Sequence, residues 1–271
     1  MAITQYMIDA FADTVFKGNQ AAVCATKEPL ASTIMQNIAI ENNFSETAFL
    51  VPFVGEKGRY SLRWFTPGGE IDLCGHATLA SAFAVGNFIA PGTKHIVFDT
   101  MSGELFIEIE DDGMISMDMP AYQPKQIEVT DTMEQAYGVR PLEAWLARDL
   151  ICVLPTETDV RNARPDTDVL LELPGLTQAI TARADANSPF DCVSRCFAPE
   201  LDVYEDPVTG STHCAIAPIW AEKLGKNDIK AFQASRRTGI LNCHVEDDRV
   251  KISGPAVLYA RAELNESGLT T

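Results

Sequence analysis

Several stretches of this 271-residue chain carry side chains able to take up or hold a proton. Glu46 interrupts Asn42-Asn43-Phe44-Ser45-Glu46-Thr47-Ala48-Phe49-Leu50-Val51, whose later half reads as a buried strand, so its carboxylate loses solvation. Burial disfavours the charged form of a carboxyl group, which is the condition for shuttling protons near neutral pH. A strand-edge glutamate facing water fits the same residues. His76 occupies the first helical turn after Gly75. There the helix dipole disfavours an imidazolium and leaves a neutral ring able to donate a hydrogen bond. Asp206, in Glu205-Asp206-Pro207-Val208-Thr209-Gly210, precedes a second glycine-led helix and reads as a second acid/base, as a group that orients one, or as a routine Asp-Pro turn.

The glycines add a second kind of chemistry. A helix start carries unpaired N–H groups and a partial positive charge, and glycine admits a ligand close to the backbone. Helices opening at Gly75 and Gly210 would therefore cradle a carboxylate or a developing enolate without a metal. Tight turns alone would also explain both glycines. Cys74-Gly75-His76 and His213-Cys214 invite a metal reading, which is set aside because neighbouring positions rarely converge on one ion and no spaced carboxylate or second histidine completes a set. Arg236 and Arg237 read as a carboxylate clamp or as a solvated basic turn. The chain lacks a GxGxxG, a P-loop and a GxSxG, so nucleotide and serine-hydrolase chemistry find no foothold.

The elements that must position these residues are legible in part. Alternating apolar residues predict strands at Tyr60-Leu62-Trp64, Leu105-Ile107-Ile109 and Ile115-Met117-Met119, the last two joined through an Asp112-Gly113 turn. Leu30, Ile34 and Ile38 have helical spacing, and the apolar run from Ala77 to Ala90 reads as a buried helix stopped by Pro91-Gly92. Pro120 and Pro124 punctuate a polar stretch that reads as a linker. The chain also echoes itself. Arg63-Trp64-Phe65-Thr66-Pro67 is followed eight residues after its proline by Gly75, and Arg195-Cys196-Phe197-Ala198-Pro199 eleven residues after its proline by Gly210. Each copy reads strand, loop, glycine, buried helix. A duplicated unit packed about a pseudo-two-fold axis would bring both helix starts to one cleft.

Bulk properties narrow the function classes. With 46% hydrophobic and 22% charged residues the chain has ordinary globular composition, and its length favours two domains. A formal charge of -17 repels phosphate backbones and anionic lipid surfaces, so neither nucleic acid nor membrane is expected as a partner, and an anionic substrate needs a locally positive pocket. Seven scattered cysteines without a CxxC pair suit a reduced, cytoplasmic setting better than a disulfide framework. The first residues lack a basic start followed by an apolar run, and no secretion signal is expected.

Taken together, Phe16-Lys17-Gly18-Asn19-Gln20-Ala21-Ala22-Val23, Ser45-Glu46-Thr47-Ala48-Phe49, Arg63-Trp64-Phe65-Thr66-Pro67, Asp72-Leu73-Cys74-Gly75-His76-Ala77-Thr78 and Asp206-Pro207-Val208-Thr209-Gly210-Ser211 resemble the phenazine-biosynthesis-type isomerase family over most of the chain. The resemblance implies an α+β, diaminopimelate epimerase-like fold. Its two pseudo-symmetric halves, residues 1–119 and 120–271, would each wrap a curved, mostly antiparallel sheet around a central helix, the last strand being free to return to the first half. It implies a homodimeric, cofactor-independent isomerase in which Glu46 shuttles a proton between carbons of a small anionic molecule. His76, Asp206 and Ser211 would hold or polarise the substrate, with Gly75 and Gly210 at the cradle and Asn19, Cys74 and Thr212 as further binding residues. Epimerases of related fold oppose two cysteines. Cys74 matches the first and Thr209 stands at the second, which argues against a two-thiol racemase. Gln20 departs from the proline usual after Gly-Asn. A non-catalytic ligand-binding or protein-interaction member of the same fold is the alternative.

Overall fold

The computed structural model describes residues 3–201 and 203–265. The chain divides into two compact units, one of Met1–Asp118 with Ser253–Thr271 and one of Met119–Ile252.

The first unit runs β1 (Ile3–Ala10), β2 (Asn19–Ala25), α1 (Ser32–Asn42), β3 (Glu46–Pro52), β4 (Arg59–Thr66), β5 (Gly69–Ile71), α2 (Gly75–Ala84), β6 (His95–Thr100), β7 (Gly103–Ile109) and β8 (Ile115–Pro120). The second runs β9 (Lys125–Ile127), α3 (Asp131–Tyr137), β10 (Glu143–Leu146), β11 (Leu150–Val153), α4 (Glu157–Asn162), α5 (Thr167–Leu170), β12 (Gln178–Arg183), β13 (Cys192–Ala198), β14 (Val203–Asp206), α6 (Gly210–Leu224), β15 (Asp228–Gln233), β16 (Gly239–Glu246) and β17 (Arg249–Gly254). The last strand, β18 (Ala256–Leu264), returns to the first unit and pairs antiparallel with β1.

The echo in sequence is an echo in topology. In the first unit β1–β2 is antiparallel, β2–β3 parallel, β3–β4 antiparallel, β4–β6 parallel and β6–β7 antiparallel. In the second, β10–β11, β11–β12, β12–β13, β13–β15 and β15–β16 repeat that order of senses strand for strand. β5 and β14 each form a short antiparallel hairpin arm on the strand carrying the RxF motif. Helices fill the long connections that parallel neighbours require.

The motif arginines explain why those hairpins form. Arg63 grips Glu70 on β5 through two hydrogen bonds of 2.6 and 2.7 Å and lies 5.2 Å from the Phe65 ring centroid. Arg195 repeats the arrangement with Glu205 on β14 at 2.6 and 3.0 Å and with Phe197 at 5.1 Å. The burial of the two clamps differs. The Arg63 side chain is 32% exposed, whereas Arg195 is 7% exposed and also donates to Val160 O and Ala163 O.

Both central helices are apolar around nearly their whole circumference. From His76 to Ala84 every residue of α2 except Phe83 is buried, and its alanines let β1, β2 and β3 approach closely. The run continues through a π-helical turn, Val85–Ile89, before Pro91. Leu62 and Trp64 fill the core behind it. Leu30 lies before α1, which begins at Ser32, although Ile34 and Ile38 do face its core side. Residues 121–124 are irregular but tied down, with Ala121 N donating to Asp248 O and Tyr122 N to Cys214 O, so the stretch read as a linker is held in place. All seven cysteines are free and buried. Among the described residues no helix is long and apolar enough to cross a membrane.

The different burial of the two clamps predicts different costs. Arg195→Ala leaves Glu205 and two carbonyls without their partner and should destabilise by about 3–5 kcal/mol, whereas Arg63→Ala should cost about 1 kcal/mol or less. Urea unfolding of the two variants checks the contrast, and equal losses would mean that the clamps are not graded by burial.

Candidate active site

In the first unit the predicted residues converge. Asn19 opens β2 and Glu46 opens β3, and the parallel register sets Ala21 opposite Glu46, so the starts of both strands lie at one edge. Glu46 does not face bulk water. Its side chain is 14% exposed, and Oε2 lies 2.8 Å from His76 Nε2. His76 is the second residue of α2 and is buried. Its Nδ1 lies 3.1 Å from Asn19 Nδ2 and 3.5 Å from Cys74 Sγ, while Ser45 Oγ donates to Asn19 Oδ1 at 3.1 Å. The chain Ser45, Asn19, His76, Glu46 therefore joins two strand starts to a helix start.

The close approach of His76 to Glu46 is an ion-pair distance without hydrogen-bond alignment. Both His76 Nε2 and Glu46 Oε2 are buried with no hydrogen-bond partner. Such atoms are costly unless something pairs with them, which makes this the point where a ligand would gain most.

The neutral imidazole expected from the helix dipole is overturned. Burial lowers the His76 pKa, but the negative charge available on Cys74 and Glu46 outweighs it and raises the pKa well above the ordinary histidine range. Burial, and then Glu46, pushes the Cys74 thiol up. A full carboxylate charge at contact exceeds the half-charge of a helix end. The Asn19 amide suits either ring state. With Nδ2 toward the ring it donates to a neutral Nδ1. Turned over, it offers Oδ1 to an Nδ1–H while Ser45 Oγ accepts instead of donating.

The start of α2 has no side-chain cap. Cys74 is the N-cap residue, its carbonyl accepts from Thr78 Oγ1 at 2.5 Å, and the Ala77 N–H is directed at its sulfur, which leaves the N–H groups of Gly75 and His76 for a ligand. Gly18 fixes the approach of Asn19. It sits at φ +66°, and a Cβ there would fall 2.1 Å from Ala10 O.

The second unit repeats the scaffold with other side chains. Thr209 caps α6 without a side-chain bond to the helix, Gly210 follows, and the Thr209 carbonyl accepts from His213 Nδ1 at 2.8 Å. Asp206 Oδ2 accepts from Thr209 Oγ1 at 2.6 Å. The fully buried Gln233, which sequence reasoning missed, locks this loop by donating to Asp206 O and Thr209 Oγ1 and accepting from Thr209 N. Its signal was an inward-facing polar residue ending the alternating strand β15. Arg236 and Arg237 lie in the β15–β16 turn, which Ser235 Oγ ties to Pro207 O, with Arg236 exposed. Thr212 needs correction as a ligand-facing hydroxyl, and Ser211 is shared with a brace. Ser211 Oγ accepts from Arg148 Nη2 at 2.9 Å, and the fully buried Thr212 donates to Asp149 Oδ2 at 2.9 Å. Thr212 is committed to the brace, whereas Ser211, half-buried, keeps its O–H as a donor beside the backbone N–H groups.

The registers show what replaced the first unit's titratable set. Phe65 pairs with Thr47 and its echo Phe197 with Gln178, so Thr177 occupies the place of Glu46. Thr209 occupies the N-cap place of Cys74, and Ser211, two residues on, that of His76. A glutamate, a cysteine and a histidine in one unit correspond to three hydroxyls in the other. The carboxylate at 46 also removes one ground for setting metal aside, because Glu46, Cys74 and His76 offer three donor atoms within 4.8 Å of one another.

Comparisons with known proteins agree with this architecture. Residues 8–262 match the family model described as phenazine biosynthesis-like protein. The chain is 43% identical to an uncharacterized isomerase of Pseudomonas aeruginosa, over 98% of this chain and 100% of the relative. The crystal structure of a phenazine biosynthesis protein of the PhzF family from Enterococcus faecalis matches with a TM-score of 0.93 at 43% identity, covering 98% of this chain and 100% of that one. A hydroxyproline epimerase from Agrobacterium vitis shares the fold at 7% identity, with a TM-score of 0.63 and coverage of 97% and 92%. The fold is α+β and diaminopimelate epimerase-like.

His213 supplies a test of the second helix start. Burial holds its pKa down to about 4, against a backbone hydrogen bond from Thr209 that raises it. The contribution is complete above the unfolded value near 6.5 and is lost as pH falls toward about 4, because the unfolded chain then takes up a proton that the folded chain refuses. The loss should reach about 3 kcal/mol. Unfolding free energies measured from pH 7 to 4 should fall less steeply for His213→Gln than for the unchanged protein.

Proposed function

The chain belongs to the phenazine biosynthesis-like family, and from that premise we propose a proton-shifting isomerase in which Glu46 is the general acid/base. The isomerase class follows from the family, its relatives and the epimerase-like fold. The observation that supports Glu46 for the role is the misaligned, buried contact of its Oε2 with His76 Nε2, since both atoms lack a hydrogen-bond partner.

In the proposed reaction Glu46 removes a proton from a carbon next to an activating group, and the electron pair moves onto that group. The same carboxyl group returns the proton to another carbon of the same molecule. His76 Nε2–H and the free N–H groups at the start of α2 stabilise the charge that develops, in a place where nothing need reorganise during the reaction. Asn19 fixes the ring. The shift is redox-neutral, so an acid, a base and these donors balance it without a cofactor. A small carboxylate-bearing molecule suits uncapped helix starts. Gly210 at the start of α6, with Asp206 at the end of β14 before it, is proposed as a further substrate-holding element, acting through backbone N–H groups and the Ser211 hydroxyl and not through Thr212 Oγ1.

The replacement of Glu46, Cys74 and His76 by Thr177, Thr209 and Ser211 in the second unit favours a single acid/base over a pair of opposed ones. The proton would then leave and return on the same face of the substrate.

Incubation in deuterated water with a panel of cyclic and amino-acid-like carboxylates should incorporate deuterium at carbon, read by mass spectrometry. Glu46→Gln should slow that exchange by about 10²–10⁴-fold with the fold intact. Near-normal exchange in the variant would remove Glu46 from the role, and tight binding without exchange in the unchanged protein would favour a non-catalytic member of the family.

A further inference from the structure

We propose that Cys74, His76 and Glu46 also form a binding site for a thiophilic divalent cation, with Zn²⁺ as the best match, and that the ion blocks the site when bound. The inference goes beyond the isomerase reading, and its binding half stands on geometry alone.

The donors are a thiol sulfur, an imidazole nitrogen and a carboxylate oxygen, all within 4.8 Å of one another. Bonds of about 2.3 Å to sulfur and about 2.0 Å to nitrogen place tetrahedrally arranged S and N donors about 3.5 Å apart. Cys74 Sγ and His76 Nδ1 already stand 3.5 Å apart. They form a ready edge of the coordination polyhedron, held by the backbone of a helix start, since Cys74 is the N-cap residue and His76 the second residue of α2. Glu46 completes the set by a rotation of its side chain. That movement takes the carboxylate from its 2.8 Å contact with His76 Nε2, on the far side of the ring, and the ion replaces the Asn19 amide at Nδ1. The fourth position is left to water or to an anion.

The donor types choose the ion. A thiolate, an imidazole and one carboxylate favour Zn²⁺ or Cd²⁺ over Mg²⁺ or Ca²⁺, which prefer sets made of oxygen. Binding releases the Cys74 thiol proton and a proton of the His76 ring to solvent, and the sulfur and Nδ1 lone pairs go to the ion without any change of oxidation state. Coordination turns the Glu46 carboxylate toward the ion and lowers the basicity of both its oxygens, so it no longer serves as the base. The three hydroxyls in the equivalent places of the second unit provide no such set, so one ion per chain is expected.

The test titrates the full, chelator-stripped chain with Zn²⁺ against a chromophoric chelator of micromolar affinity, and in parallel with Cd²⁺, read by thiolate-to-cadmium absorption. One equivalent should bind, Mg²⁺ should not compete, and Cys74→Ser and His76→Gln should each weaken binding by at least about tenfold. Cys24→Ser and Cys243→Ser should bind as the unchanged chain does. Zinc-edge X-ray absorption of the unchanged chain needs no variant and should show a single sulfur among nitrogen and oxygen neighbours. Failure to withdraw Zn²⁺ from the chelator, an absorption spectrum without sulfur, or full affinity in Cys74→Ser overturns the proposal. Deuterium exchange measured with and without Zn²⁺ separates the two readings. Inhibition reversed by chelation supports both, and exchange that continues at a zinc-loaded site overturns the blocking role and the assignment of Glu46 while the binding stands.

Discussion

A parallel strand pairing is the constraint on which the site depends. β2 and β3 run in the same direction with Ala21 opposite Glu46, so Asn19 and Glu46 enter from one edge of the sheet, where α2 begins. Antiparallel pairing would send one of them to the far edge. The parallel arrangement requires a crossover. α1 supplies it, ending in Asn43 at φ 50°, a left-handed residue that turns the chain into β3 within a few positions. On the other side Gly18 lets the chain pass against Ala10 O where no side chain would fit. Two backbone devices far apart in sequence thus deliver an amide and a carboxylate to opposite nitrogens of one imidazole.

Duplication supplied the scaffold twice, and divergence gave titratable groups to one copy. The strand senses, the arginine clamps and the uncapped helix starts recur. Even the anchoring of the N-cap carbonyl recurs, four residues on, by Thr78 in one unit and His213 in the other. The difference lies in charge. In the second unit the first-turn positions carry hydroxyls, and the pair of half-buried Arg148 with buried Asp149 that braces them is met by Ser211 and Thr212. In the first unit the imidazole and carboxylate leave two buried atoms unpartnered. A network satisfied within itself stabilises a fold, whereas one left short of partners is available to a ligand.

What the sequence disclosed follows the range of each interaction. The RxF strands, the Asp112-Gly113 hairpin and the glycine-led helices are local features, and all are present. The contact of Glu46 with His76 was not legible, because thirty positions and a parallel register separate the two residues and spacing along the chain says nothing about register. The protonation of His76 failed for the same reason. The dipole argument used the helix backbone alone, while the charges that outweigh burial sit on Cys74 and, delivered by another strand, on Glu46. Thr212 was misread differently. A motif groups residues adjacent in sequence, yet each step along a helix turns the side chain by about 100°, and here both hydroxyls swing toward Arg148 and Asp149.

The same physics makes the first unit suitable for proton transfer and exposes it to metal. A base that acts on carbon needs a carboxylate that is largely dry and loosely partnered, with a cation or donor near enough to stabilise the charge that forms. A carboxylate, an imidazole and a thiol in that condition also satisfy the coordination preferences of a borderline-soft cation. Replacing Cys74 with a hydroxyl residue removes the softest donor and leaves the Glu46–His76 contact in place, which is the exchange already present at Thr209 in the other unit. The thiol is therefore the residue that divides the two properties. Its retention beside His76 does not follow from proton transfer by Glu46, and its sulfur stands 3.5 Å from Nδ1 of the ring that the carboxylate also contacts.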